Sequence, residues 1–212
     1  MNNFAHVNYD KQHPYIGKLL CINGSGILYR WLLKNFKANS YQEMNEQAAT
    51  VPVGSEGALI IPFGNGAERV LNNVNLGAQL LNINLNIHSA SHVYRAALEG
   101  IAFSFVYGME IMESDGVHPK VIKAGDDNLF RSELFATTLA TLLDVEIRIY
   151  HTTGAIGAAR ACSLAHGDTA IFEKQVENND FLKSYDPSPD KEAYVKAYQN
   201  WKNELHNLLI KK

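Results

Sequence analysis

Between Val121 and Ala161 the chain states one pattern twice: an apolar run, a glycine-containing turn and a helix. Val121 and Ile122 open a short strand that stops at Ala124-Gly125. Leu134, Phe135, Thr138, Leu139 and Leu142 then recur at helical spacing, with Ser132 placed as N-cap. Val145, Ile147 and Ile149 alternate as a second strand. Thr152-Thr153-Gly154 turns the chain into a helix of small residues: Ala155, Gly157, Ala158, Ala159 and Ala161. Consecutive strand-turn-helix segments bring backbone N–H groups and helix N-termini to one sheet edge, where anionic ligands are held. The same residues also suit an ordinary α/β layer whose glycines only make turns, and a short glycine turn does not separate the two readings.

The 212 residues suit one large domain or two small ones, and no linker or repeat divides them, so one domain is expected. A net charge of -3 without a basic stripe argues against nucleic acid or an anionic membrane as partner. Cys21 and Cys162 lie far apart in apolar surroundings, which predicts buried reduced thiols rather than a disulfide or zinc framework. No apolar run approaches a membrane span, and Met1-Asn2-Asn3 begins neither a signal nor a transit peptide. A soluble, cytoplasmic protein is expected.

Residues 1–16 read as irregular, with Phe4, Val7 and Tyr15 as isolated apolar positions. Gly24-Ser25-Gly26 fits a helix start better than a phosphate loop, and Ile27, Trp31, Leu32 and Leu33 form the helix face. Ser40 and Glu43 have capping-box spacing before a helix with Tyr41, Met44 and Ala48 on its apolar side. Ala58-Leu59-Ile60-Ile61 is a short buried strand closed by Pro62, and residues 63–89 read as one long Asn- and Gly-rich loop. From Ser89 or Ser91, Val93, Ala97, Ile101, Phe105 and Met109 form an i,i+4 ladder on a buried helix. Gly100 inside it implies that something packs closely there. Residues 173–188 read as a polar surface excursion, and Ser188-Pro189 starts a terminal helix with Tyr194, Ala197, Tyr198, Trp201, Leu205 and Leu208 on one face.

Side chains able to carry chemistry are few. His88 and His92 stand i,i+4, but no third ligand follows at metal-site spacing, so a structural role is expected and no metal ligand is assigned. Asp126 and Asp127 reach a phosphate through Mg²⁺, point at ribose hydroxyls, or face solvent; the last two together outrank metal ligation. Glu68 and Arg69 pair in solvent or anchor the long loop, and Glu99 reads as structural. No GxSxG, Walker lysine or Ser-His-Asp pattern is present, and a Rossmann reading lacks its GxGxxG.

Several segments taken in order resemble the FGGY family of sugar kinases. His92-Val93-Tyr94-Arg95-Ala96-Ala97-Leu98-Glu99-Gly100 is similar to that family's RA-LEG helix. Ala78-x-Leu80-x-Asn82-Ile83 has the spacing of its signature, with Asn82 where glycine is usual, and Pro62-Phe63-Gly64 through Glu68-Arg69 resembles its LPY…GER loop. Gly125 to Ser132 resembles its adenosine-side turn and Gly154 to Ala159 its GAA helix, while Gly17 to Leu20 with Gly24-Ser25-Gly26 and Trp31-Leu32 resembles the preceding segment. Xylulokinases are the nearest branch.

The resemblance implies an α/β fold of the actin-like ATPase (ribonuclease H-like) kind, a mixed sheet with helices on both faces. Residues 1–212 would be the C-terminal, nucleotide-side domain. The N-terminal sugar-binding domain, the catalytic Asp and the first phosphate loops would lie upstream, leaving this piece inactive alone. The intact enzyme would transfer the γ-phosphoryl of ATP, with Mg²⁺, to D-xylulose; ribulose, gluconate or glycerol, or a stand-alone non-catalytic nucleotide-binding module, are the alternatives. ATP contacts carried over are Gly125, Asp126, Asn128, Ser132, Gly157 and Ala158, with Asp126 filling space that the family leaves to glycine. The partners implied are ATP, a small sugar and the chain's own N-terminal domain, whose absence would expose a face and promote self-association, a homodimer being the simplest form.

Overall fold

The computed structural model describes residues 2–6, 11–12, 14–164 and 179–212, which fall into two compact units, Met1–His118 with Glu192–Lys212 and Pro119–Lys191. In chain order the first unit contains β1 (Asn2–Ala5), β2 (Ile16–Leu19), α1 (Ser25–Asn35), α2 (Tyr41–Ala49), β3 (Leu59–Ile61), β4 (Gln79–Leu81) and α3 (Ala90–Glu113). The second contains β5 (Val121–Gly125), α4 (Glu133–Leu143), β6 (Glu146–Tyr150), α5 (Gly154–Leu164) and β7 (Phe181–Tyr185). The final helix, α6 (Lys191–Ile210), belongs to the first unit from Glu192 onward.

The first unit is built on α3. Ser89 caps it from an extended conformation, and His92 returns the bond, its Nδ1 accepting from Ser89 N at 3.1 Å. Val93, Ala97 and Ile101 of the ladder are buried, as are Leu98, Ala102 and Val106 beside them. The wholly buried β3 lies against this helix and pairs antiparallel with β4, Ile60 facing Leu80. A methyl group on Gly100 would lie 2.1 Å from the Ile60 carbonyl oxygen, so the glycine is what lets strand and helix touch. Trp201 Nε1 of α6 donates to that same oxygen at 2.8 Å, while its ring packs against Phe63, Phe103 and Tyr198.

A buried ion pair ties the preceding turn to α3. Arg95 Nε donates to Glu99 Oε1 at 2.7 Å, and Arg95 Nη1 donates to the Val51 carbonyl at 3.0 Å. Glu99 also accepts from Gly54 N at 3.0 Å and from the Ser55 hydroxyl at 3.3 Å. Burial pushes the Glu99 carboxyl up, against the pull of Arg95 and these bonds. Its structural role is thus to hold the 54–55 turn.

In the second unit β5 and β6 run parallel, from Val121 opposite Glu146 to Gly125 opposite Tyr150. β7 adds antiparallel on the far side of β6, giving the mixed order β5-β6-β7. Ser132 caps α4 by accepting from Phe135 N at 3.4 Å, and Phe135, Ala136, Leu139 and Ala140 form its buried side.

Several local expectations change. Residues 2–5 and 16–19 form an antiparallel hairpin rather than an irregular lead, with the Phe4 ring lying across Gly17. The stretch 63–89 is not one loop: β4 interrupts it, recruited by pairing with β3 rather than by its own composition. β7 likewise occupies part of 173–188, of which residues 173–178 lie outside the described residues. α1 buries Leu28, Tyr29 and Leu32, leaving Ile27 and Trp31 about half exposed, because the helix is rotated toward α2 and α3. Ser40 accepts from Glu43 N as expected, but the Glu43 carboxylate turns to Asn39 N and Nδ2, both at 2.8 Å, instead of Ser40 N. Neither cysteine is buried as expected, Cys162 being exposed and Cys21 partly so, and both thiols are free.

Substituting Gly100→Ala is expected to destabilise the protein by about 3 kcal/mol despite alanine's better helix propensity, because the obstructing atom is a hydrogen-bonded backbone oxygen. Gly26→Ala, where nothing lies within 4 Å of the added methyl, is expected to stabilise by up to about 1 kcal/mol. Denaturant unfolding of the two variants checks the contrast.

Candidate functional site

Because β5 and β6 are adjacent and parallel, the turns that leave them share one edge of the sheet. Gly125 closes β5, and a side chain there would begin 2.5 Å from the Thr152 carbonyl oxygen of the second turn. Its missing side chain therefore makes room for backbone. Asp126 follows with both main-chain groups fixed: its N–H donates to the Tyr150 carbonyl at 3.0 Å, and its carbonyl accepts from Arg131 Nε at 2.7 Å. The Asp126 carboxylate meets His151 Nδ1 at 3.2 Å. That hydrogen bond holds the Asp126 carboxyl below its ordinary range, so it is ionised near neutrality.

The second turn is shaped by hydroxyl capping. Thr153 Oγ1 accepts from Ile156 N at 3.3 Å, and Gly157 N continues the helix by donating to the Thr153 carbonyl at 2.9 Å. Among the described residues nothing covers the surface beyond: Gly157 and Ala158 are exposed, and a methyl added to Gly157 would meet none of their atoms within 4 Å. Arg160 clamps α5 with a two-pronged contact to Asp180, at 2.5 and 3.1 Å. Among the described residues the result is an edge with unpaired N–H groups at a helix start, an ionised carboxylate bonded to an imidazole, and open space over a helix of small residues. Such an edge suits a ligand that is anionic at one end and flat at the other.

Of the residues expected to contact nucleotide, Gly125 abuts the Thr152 carbonyl, Asp126 bonds to Tyr150 and His151 just before it, and Gly157 and Ala158 lie on the helix that follows. Ser132 is buried and engaged as the α4 cap. Asn128 begins a 3-10 turn, and its side chain lies outside the described residues. Thr152 and Thr153 form the expected turn into α5, whereas His151 and Arg131 join this edge without having been expected there. Thr153 carried a signal as the hydroxyl residue before Gly154, whereas the Asp126–His151 contact joins residues 25 apart and has no local signature.

The other candidates are occupied. His92 Nε2 lies 2.8 Å from Glu56 Oε2, and His88 Nδ1 accepts from Asn84 N at 3.0 Å. Among the described residues no group of three or more His, Cys, Asp or Glu side chains is arranged to hold a metal ion. Glu68 is not a solvated partner: it is fully buried, and its Oε2 accepts from Asn23 N at 2.8 Å, anchoring the loop after β3.

Residues 5–166 match the FGGY family of carbohydrate kinases, C-terminal domain. A xylulose kinase of Haemophilus influenzae is 24% identical over 182 residues, covering 83% of this chain and 36% of that protein. A ribulokinase of Shouchella clausii is 29% identical over 204 residues, covering 86% of this chain and 36% of its own length. The crystal structure of Plasmodium falciparum glycerol kinase with ADP superimposes with a TM-score of 0.72 at 18% identity, over 88% of this chain and 37% of that one. The chain thus spans little more than a third of the length of the relatives it matches. The structural likeness shows the fold, that of the actin-like ATPases.

Replacing His151 with Gln removes the imidazole that bonds to Asp126. The Asp126 carboxyl is expected to titrate higher, toward 3.8, by carboxyl-detected NMR. The sign follows from the lowered value: stability from this contact is present above the ordinary carboxyl range and is lost as pH falls through the lowered one.

Proposed function

The chain belongs to the FGGY family of carbohydrate kinases as a C-terminal domain, and from that premise we propose that it forms the nucleotide side of an ATP-dependent sugar kinase. The observation that carries this reading is the shared edge of β5 and β6 with the open surface over Gly157 and Ala158. In this reading the adenosine lies over that surface, and its phosphates extend toward the N-terminal turn of α5, whose dipole and free N–H groups favour negative charge. Asp126 sits too close to an anionic path to contact phosphate itself. Its ionised carboxylate, steadied by His151, instead takes ribose hydroxyls or faces solvent. Gly125 serves the site indirectly, by letting the two turns close on each other.

The reaction is transfer of the γ-phosphoryl of ATP to a sugar hydroxyl, and the substrate we propose is a ketopentose, D-xylulose giving D-xylulose 5-phosphate. The motif resemblance to xylulokinases supports that choice; the relatives named for ribulose and glycerol make those sugars the competing outcomes. The sugar pocket and the base that deprotonates the attacking hydroxyl would belong to an N-terminal domain of the whole kinase, so residues 1–212 alone would be inactive. Mg²⁺ bound with the nucleotide would neutralise charge on the transferring phosphoryl group. The kinase reading also carries a cytoplasmic location, where ATP is supplied; among the described residues no helix is long and apolar enough to cross a membrane.

Calorimetric titration of the 212-residue chain with Mg-ADP tests the site. At Gly157 an added methyl meets no described atom within 4 Å, so Gly157→Leu should not lower stability, while affinity falls by about tenfold or more, the equivalent of ~1.4 kcal/mol. Equal affinity in the variant and the parent would remove the α5 surface from the nucleotide site. Gly125→Val is a poorer probe, because it displaces the Thr152 backbone directly.

A further inference from the structure

A second concave surface lies in the first unit, a cleft of about 610 Å³ between the 52–57 turn, the end of β4 and α6. Its floor is Pro52, Leu59 and Ala197, and its walls carry Glu56, Asn82, Lys196, Asn200, Asn203 and Glu204. Among the described residues, none of the last five side chains has a hydrogen bond, ion pair or ring contact. Their polar groups point into one space and are used by nothing in the fold.

The backbone around the cleft is held in an unusual shape. Gly54, Ser55, Glu56 and Gly57 all have positive φ, at 84°, 48°, 50° and 98°, and Asn82 across from them has φ 59°. Ser55, Glu56 and Asn82 each carry a side chain in a region that disfavours one. Two internal contacts maintain this turn: the buried Arg95–Glu99 pair takes the Gly54 N–H and the Ser55 hydroxyl, and His92 takes the Glu56 carboxylate. Asn82 stands where glycine would satisfy the backbone equally well, and in doing so adds a carboxamide to the cleft wall.

We propose that this cleft binds an uncharged polyhydroxylated small molecule. Three carboxamides offer a donor and an acceptor each, which matches hydroxyl groups that do both. Glu56 and Glu204 supply acceptors for vicinal hydroxyls, and Lys196 a donor. Two carboxylates against one ammonium make the lining unsuited to phosphate esters or nucleotides. The small apolar floor fits the C–H face of a sugar ring or an inositol. The cleft lies entirely within the first unit and shares no residue with the β5–β6 edge, so it stands or falls apart from the nucleotide reading.

The test is backbone and side-chain amide NMR of the full chain titrated with D-xylose, D-glucose and myo-inositol, and with glucose 6-phosphate as the charged control. Saturable shifts are expected for at least one neutral compound, with a dissociation constant of about 1 mM, at Gly54, Gly57, Asn82, Asn200 and Asn203. Glucose 6-phosphate should bind at least about tenfold more weakly than glucose. Asn200→Leu with Asn203→Leu, both at exposed helical positions, should abolish the shifts while circular dichroism stays unchanged. No saturable shift at about 50 mM of any neutral compound would overturn the proposal, as would tighter binding of the phosphate ester or shifts that survive the double variant. Mg-ADP titrated in the same samples reports at residues 125–126 and 154–158, so loss of one response leaves the other readable.

Discussion

The Ile60 carbonyl oxygen is the point on which the first unit depends. It is buried beneath β3, pressed against α3 where Gly100 has no side chain, and satisfied by the Trp201 indole from α6. An unpaired buried carbonyl costs about 1–3 kcal/mol, so the strand can approach the helix this closely only because the indole supplies a partner. Three elements far apart in sequence therefore meet at one atom. The aromatic cluster of Phe63, Phe103, Tyr198 and Trp201 grows outward from that contact.

The buried Arg95–Glu99 pair serves shape more than strength. Replacing such a pair by apolar residues is often neutral or stabilising, whereas breaking one member is costly. Here each partner also binds backbone of the turn before β3, at Val51 and Gly54. Four consecutive left-handed residues are unfavourable by themselves, and this anchoring makes the arrangement permanent. The cleft beside α6 inherits its geometry from a charge pair buried in the core.

The second unit uses a backbone constraint of a different kind. Parallel pairing places the ends of β5 and β6 side by side, and the absent Gly125 side chain lets the Thr152 carbonyl come close. The Asp126–His151 contact then spans the two turns, and the Arg160–Asp180 pair braces α5 against the chain entering β7. Among the described residues, what remains open is the face of α5 where glycine and alanine carry almost no side chain.

The residues alone determined the elements whose signals are local. The two strand-turn-helix segments from Val121 to Ala161, the ladder on α3, the Ser132 cap and the Gly100 close approach all rest on periodicity, capping and the conformational cost of glycine, which act over a few positions. Elements held by partners distant in sequence were decided only by the tertiary structure. β4 is a strand because β3 offers it a ladder, and β7 because β6 does. The outward rotation of Ile27 and Trp31 follows from where α2 and α3 pack. The β5–β6 edge divided along the same line: the turns at Gly125 and Gly154 and the small-residue helix after them were readable from local pattern, but His151 beside Asp126 was not. That contact exists only because parallel strands align residues 25 apart, and no short-range pattern encodes such an alignment.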